Sequence, residues 1–429
     1  MYTLPTYRYF AIYLLLVFTL TSCYKEYIEP NPATRTNDKI LSVMKEWYLW
    51  NELMPQNVDP RAFSTPEALI EHLKYKTLDK WSYIQDEESY FQYYNAGQTY
   101  GHGFVLKYDK NNALWLAVVY PNSAAGRAGL TRGYQLLKIN GRDVSSISNV
   151  SEALGAAEAS VVNLLQFRDT NGVIKEISLG KDVIQINSVY HYSVQQAGTK
   201  KVGYLVFNNF IETSRTELDL AFAYFRDQAI EELILDLRYN GGGRVNIAQY
   251  LASNLAPTGS AGKTFVRYSH NPSKRFEDVE GLFLSPQYNF NLKRLICITS
   301  RATASASELV INSLKPFMPV TLIGENTYGK PVGSYGFQFE GYVFNPISLR
   351  TVNALGQGDY FDGFKVDAPQ TDGLNKQLGD AQEPCLAEAL FYIQNGSFTG
   401  ILQRRGQTVE NSKNNNLHQD SFREEVGVF

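Results

Sequence analysis

Three short, uninterrupted apolar runs most tightly limit what this chain can become: Val202-Gly203-Tyr204-Leu205-Val206-Phe207, Leu233-Ile234-Leu235 within 232–237, and Leu295-Ile296-Cys297-Ile298. Each is strand-length, and each is followed by apolar residues at three- and four-residue steps, the helical period. Those helical stretches are 217–227 (Leu218, Leu220, Phe222, Phe225), 245–255, and the segment opening at Ser305 (Leu309, Val310, Leu314). A further strand is expected at 319–324. Strands apolar on both faces, alternating with helices, require a largely parallel sheet under helical cover. Such sheets gather their ligands at the carboxyl ends of the strands. Two turns leave strands at that edge: Asp236-Leu237-Arg238-Tyr239-Asn240-Gly241-Gly242-Gly243, and the one that reaches Thr303-Ala304-Ser305-Ala306-Ser307-Glu308.

The preceding chain has a different texture. Residues 1–23 read as a targeting segment, with Arg8 as the positive flank and an apolar stretch, 10–20, too short for a comfortable membrane span. It ends Leu20-Thr21-Ser22-Cys23, which resembles the bacterial lipobox. That resemblance implies export, lipidation of Cys23, and tethering in the envelope of a Gram-negative-type bacterium, in the periplasm or at the outer membrane. An ordinary secretory signal is the simpler alternative. Residues 24–83 read as a linker and a small helical region, with Ile40, Val43, Met44, Trp47 and Tyr48 on one stripe and a second helix from Pro66 to about Lys74. From 84 to 183 come short strands, a hairpin around Asn140-Gly141, and a helix over 150–157. This set resembles a PDZ domain, with Tyr100-Gly101-His102-Gly103-Phe104 in the place of its carboxylate-binding loop. The resemblance implies that Gly101, His102, Gly103 and Phe104 receive a chain-terminal carboxylate on backbone N–H groups while the peptide adds as an edge strand. Gly133-Tyr134 stands where such domains usually have Gly-Asp. A closing helix is expected over 381–394, and the polar tail 399–429 is expected to be disordered.

Composition excludes several classes of function. A net charge of −3 gives no electrostatic footprint for nucleic acid. The five histidines and three cysteines fall at no metal-ligand spacing, so neither a metal nor another cofactor is expected. Hydroxyl chemistry remains. Ser305 sits where strand gives way to helix, facing free helical N–H groups that could hold a developing oxyanion. Ser305 and Glu308 are equally a capping box that does no more than start a helix. The glycines after Asn240 lack the residues that follow a phosphate loop, but could present N–H groups to a reacting carbonyl. A serine nucleophile also needs a base. No Gly-x-Ser-x-Gly surrounds Ser305, and His270 is the only histidine between Asp236 and His418. A lysine buried deeply enough to lose its proton is the other solution. Lys330, after Gly329, is either that base or a surface lysine in a turn.

Taken together, Thr303–Glu308, Gly324-Glu325-Asn326-Thr327-Tyr328-Gly329-Lys330, Asp236–Gly243 and the PDZ-like region resemble the carboxy-terminal processing (tail-specific) serine peptidases, over roughly residues 40–395. The 25-residue step from Ser305 to Lys330 is the one this family uses. The resemblance implies a multidomain α+β and α/β chain: an N-terminal helical region, a PDZ domain, and a ClpP/crotonase-like peptidase core over 184–398. It also implies a Ser305 nucleophile, a Lys330 general base, and an oxyanion hole from the N–H groups of Ala306 and Gly242. Ser307 is the rival nucleophile. Polypeptides with free C-termini are the implied substrates, and a homo-oligomer is compatible with the resemblance. Two positions depart from the family pattern: Gly241 replaces a common proline, and Ser334 occupies the place of a lysine-orienting glutamine, which makes Ser334 a candidate for that role. The alternative function is a catalytically inactive surface protein that binds peptides on the same fold.

Overall fold

In the computed structural model, which describes residues 32–400, the apolar runs line up in one six-stranded sheet. Its order is Val189–Ala197, Lys200–Phe207, Glu232–Asp236, Leu295–Thr299, Val320–Gly324 and Ala368–Pro369. The first pairing is an antiparallel hairpin and the other four are parallel. Every residue of Glu232–Asp236 and Leu295–Thr299 is buried, because both faces of the sheet are covered. Side chains alternate across a strand, so Leu233 and Leu235 pack with Phe222, Leu251 and Val310 of the helices Ser214–Asp227, Val245–Leu255 and Ala306–Leu314. Ile234, Ile296 and Ile298 face the other way, onto Leu386, Ala389 and Ile393 of the helix Pro384–Asn395. Each such fully buried aliphatic or aromatic side chain contributes about 1.5–3 kcal/mol. Cys297 and Cys385 are unpaired and buried in these two layers.

The βα alternation is interrupted by a second, antiparallel sheet: Glu280–Leu282, Thr264–Ser269, Ile347–Val352 and Val332–Ser334, in that order. Its pairing of Tyr268 with Thr351 joins segments far apart in sequence, while that of Val332 with Arg350 is closer along the chain. The N-terminal region is built onto this part of the molecule. Ile40, Met44, Tyr48, Leu69, Leu73 and Trp81 share one core with Val332, Phe344 and Ile347. The strand Tyr83–Asp86 pairs with Tyr342–Asn345. Helix Pro66–Leu73 starts where Thr65 accepts the Ala68 N–H, 3.2 Å away.

The PDZ-like region forms a sheet in the order Phe104–Tyr108, Leu114–Val119, Gln135–Ile139, Val162–Arg168 and Ile174–Gly180. The Asn140-Gly141 turn has positive φ at both residues, 49° and 79°, as a tight hairpin requires. The helix expected over 150–157 is shorter, Val150–Leu154, because Gly155 at φ 79° ends it. Buried Arg132 ties this region to the core: it donates to the Ala117 carbonyl at 2.8 Å, the Tyr239 hydroxyl at 2.6 Å and Asp372 at 2.6 Å. Burial alone would raise the Asp372 pKa, but Arg132, Lys107 and Arg238 together hold the carboxyl far below the usual carboxylate range.

The targeting segment 1–23 with Cys23 and the tail beyond residue 400 lie outside the described residues. Among the described residues, no helix is long and apolar enough to cross a membrane.

Candidate active site

Ser305 immediately precedes the helix Ala306–Leu314, with φ 53° and ψ −113°. A non-glycine residue at positive φ is strained, and such strain gathers at functional turns. Ala306 is the first helical residue, so its N–H has no carbonyl one turn earlier to bond. Ser305 and Lys330 border one cavity of about 1080 Å³, which opens along the carboxyl edge of the sheet and is also walled by Trp81, Tyr239, Gly242 and Ser334.

Glu308 ties the serine and lysine turns together. It is fully buried, and its Oε2 accepts the N–H of Ser305 at 3.0 Å and that of Lys330 at 2.8 Å. Its Oε1 accepts the Gly329 N–H at 2.7 Å and the Thr327 hydroxyl at 2.6 Å. Residues 25 apart in sequence are therefore pinned to one carboxylate, while Tyr328 N–H also bonds the Thr303 carbonyl at 2.9 Å. Burial pushes the Glu308 pKa up to about 6, against the lowering effect of its four donors. In sequence Glu308 showed only as a helix cap; its bond to the lysine turn comes from folding.

Lys330 is 7% exposed. Burial drives its pKa down from 10.5 to about 8, and the charges of Asp79 and Glu308 resist that fall. The surface-lysine alternative does not hold for a side chain this buried. At neutral to mildly alkaline pH a usable fraction of the amine is unprotonated and able to accept a proton.

The glycine loop packs directly on the serine turn. Asn240 offers its carbonyl to the Ala304 N–H at 3.1 Å and to the Ser307 hydroxyl at 2.9 Å. Ser307 is thus fully buried and bonded away, leaving Ser305 as the hydroxyl at the cavity. Gly242 has φ 102°, and a Cβ there would fall 2.8 Å from Ser305 Cβ and 2.9 Å from Ala306 N, so only glycine fits. Its own N–H donates to Asn240 Oδ1 at 2.9 Å. For Gly242 to serve as an oxyanion donor, that N–H must exchange acceptors. His270 is not the base: its ring nitrogens are taken by Asp278 and the Tyr335 hydroxyl, each at 2.9 Å. Ser334 lies on the cavity wall in the strand Val332–Ser334, which starts two residues after Lys330.

The expected carboxylate loop spans the end of the strand Gln98–Gly101 and the start of Phe104–Tyr108, an edge strand of its sheet. The His102 and Gly103 carbonyls accept from Ala125 and Tyr120, each at 2.9 Å, which fixes the loop against the helix Ala124–Arg127. Gly103 has φ 93°, and a Cβ there would overlap Ser123. The His102 ring is wholly buried and stacked on Phe104, with centroids 5.4 Å apart. Burial first, then the Lys181 charge, push its pKa down to about 4, so the ring is neutral at physiological pH. Any anion held here meets backbone rather than a histidine cation. Among the described residues, no cluster of side chains could hold a metal ion.

Residues 201–348 match the profile described as Peptidase family S41, residues 35–83 the Peptidase S41 N-terminal domain, and residues 115–165 a PDZ domain. The chloroplastic carboxyl-terminal-processing peptidase 1 of Arabidopsis thaliana is 30% identical over 212 residues, covering 49% of this chain and 42% of that one. The carboxyl-terminal-processing protease of a Picosynechococcus is 26% identical over 238 residues, 55% of each chain. The chain thus spans about half the length of these curated relatives. Among solved structures, a candidate S41 protease from Bacteroides fragilis aligns with a TM-score of 0.67 and 26% identity, covering 83% of this chain and 97% of that one. The photosystem II D1 C-terminal processing protease, at 17% identity and a TM-score of 0.51, covers 84% and 98% and shares the fold.

Proposed function

The chain belongs to peptidase family S41, with that family's N-terminal domain and a PDZ domain, and from that premise we propose that it is a serine endopeptidase working through a Ser305–Lys330 dyad. The observation that carries this is the Glu308 carboxylate, which holds the N–H groups of Ser305 and Lys330 on one oxygen and leaves both side chains at the same cavity. Neutral Lys330 Nζ takes the proton from Ser305 Oγ as the oxygen attacks a peptide carbonyl. The oxyanion falls to the Ala306 N–H, joined by Gly242 if its N–H leaves Asn240. Lys330 then delivers the proton to the departing amine, giving an acyl-enzyme on Ser305. A water, deprotonated by Lys330, releases the carboxylic acid and restores the serine. Ser334, on the wall of the same cavity, is the candidate to orient the amine. Substrates are polypeptides whose C-termini add to the strand Phe104–Tyr108 and end at the loop 101–104. The protein is exported and held in the bacterial envelope through Cys23.

The experiment is cleavage of an unfolded protein with a free C-terminus, together with labelling by a serine-reactive phosphonate. Ser305→Ala should abolish both, and Lys330→Ala should abolish cleavage. Cleavage should halve near pH 8 and fall about tenfold per unit below it as Lys330 charges. Undiminished cleavage by either variant refutes the dyad. A wild-type protein that neither cleaves nor labels, yet binds C-terminal peptides, supports the inactive receptor instead.

A further inference from the structure

The strand that follows Lys330 turns a free edge toward the cavity. Val332–Ser334 is the last strand of the four-stranded antiparallel sheet: Ile347–Val352 flanks it on one side and, among the described residues, no strand pairs with it on the other. Residues in an antiparallel ladder alternate between bonding the neighbouring strand and turning their N–H and carbonyl away from it. Pro331 sets the phase of that alternation, because its carbonyl accepts the Thr351 N–H at 3.1 Å and the Thr351 hydroxyl at 3.0 Å. Gly333, opposite Leu349, bonds on the same side as Pro331, so Val332 between them turns its N–H and carbonyl outward. Ser334 stands opposite Ile347, whose N–H donates to the Ser82 hydroxyl at 2.9 Å and whose carbonyl accepts the Leu49 N–H at 2.8 Å. Neither group of Ile347 is left for Ser334. Outward from this edge lies the cavity, lined by Ser305, Lys330, Val332, Gly333, Ser334 and Tyr335. The edge is also firmly held, since the Val332 side chain is buried in one core with Tyr48 and Trp81.

We propose that this edge binds the main chain of the substrate: the polypeptide on one flank of the scissile bond lies in the cavity as an added strand on Val332–Ser334. The proposal rests on the dyad reading above. A sheet edge is a template for another chain, and enclosing it beside a nucleophile restricts it to chains that can enter the cavity. An extended chain repeats its outward groups every second residue, about 7 Å apart, which is the step from Val332 to Ser334. Val332 is likewise two residues beyond Lys330, so the substrate residue that exchanges hydrogen bonds with it stands about two positions from the bond being cut. Recognition through N–H and carbonyl groups is indifferent to most side chains, yet it excludes helical or folded segments, whose backbone groups are already bonded. The substrate class is thus polypeptide able to present about four extended residues, a requirement separate from capture of a C-terminus at the loop 101–104.

The test uses the full chain and a twenty-residue peptide with a free C-terminus. Single ester replacements of backbone N–H groups are scanned over four positions on each side of the scissile bond, leaving the C-terminal residues unchanged. On one flank, kcat/KM should fall about fivefold at a residue about two positions from the cut, with little loss at the neighbouring positions. The second readout needs no cleavage: saturating parent peptide should slow hydrogen–deuterium exchange of the Val332 and Ser334 N–H groups in Ser305→Ala. Efficient cleavage with a flat scan on both flanks overturns the proposal and leaves the dyad standing. A position-specific loss with unprotected Val332 and Ser334 places main-chain recognition on another element and also overturns it. A wild type that does not cleave, while peptide still protects Val332 and Ser334, supports the edge as a binding site and refutes the dyad.

Discussion

Replacing Lys330 with methionine should make the protein more stable at neutral pH while destroying its activity. The folded protein holds this amine at a pKa of about 8, against about 10.4 for a lysine in an unfolded chain. Between those values the unfolded state binds more protons than the folded state, so the stability of the wild type rises with pH across that window. Below pH 8 both states are protonated, and the full cost of burying the cation is present, about 3 kcal/mol at pH 7 from a shift of this size. By pH 9.5 most of the folded amine is neutral and the remaining cost is about 1 kcal/mol. Methionine has a similar length, fits a 7%-exposed site and carries no charge. Urea melts of both proteins at pH 7 and pH 9.5 should therefore show an advantage for Lys330→Met that shrinks by about 2 kcal/mol over that range. Because a lost ammonium also removes its attraction to Asp79 and Glu308, the change with pH is a firmer readout than the absolute difference. A difference that is flat with pH, or that grows, would show that Lys330 keeps an ordinary proton affinity and would remove the physical basis for a lysine base.

Gly242→Ala should cut the rate about a hundredfold or more and also lower stability, because the residue sits at φ 102° and two of the atoms its Cβ would meet are backbone. The new Cβ meets Ser305 Cβ and two backbone atoms under 3.0 Å, and displacing reacting groups by an ångström costs about that much; kcat/KM near wild type would refute the close packing. Glu308→Gln presents an amide N–H₂ where N–H donors now converge, and should cost about 2–4 kcal/mol in transition-state terms, read as kcat with the serine still expressed and folded by circular dichroism. Ser307→Ala should keep phosphonate labelling and most activity, since that hydroxyl only bonds the Asn240 carbonyl; loss of labelling would make Ser307 the nucleophile. Arg132→Met should lower stability by about 3–5 kcal/mol, as it strips one cation from a buried network joining the PDZ domain to Tyr239 and Asp372; an unchanged melting temperature would mean the network is not a tie.

What the sequence determined by itself is the layered architecture and the edge where chemistry gathers. Runs such as Leu295-Ile296-Cys297-Ile298 have nowhere to go but a sheet covered on both faces, and the helical period beside them supplies the cover. The turns that follow, at Asn240 and Ser305, inherit their place from that topology. The Asn140-Gly141 hairpin was equally legible, because a two-residue turn with positive φ restricts which residues can form it. The tertiary structure alone decided which groups are buried and which meet. Nothing near Lys330 in sequence shows that Tyr48 and Trp81, some 250 residues earlier, pack on Val332 beside its turn, because the pairing of Tyr83–Asp86 with Tyr342–Asn345 that anchors the N-terminal region has no local signature. For the same reason Ser307 looked as eligible as Ser305, and Gly242 looked like a free donor. Only the folded positions of the Asn240 carbonyl and side chain occupy the Ser307 hydroxyl and the Gly242 N–H. Proton affinity follows the same rule: a lysine's side chain is fixed by sequence, but the free energy of its charge is set by what folding places around it.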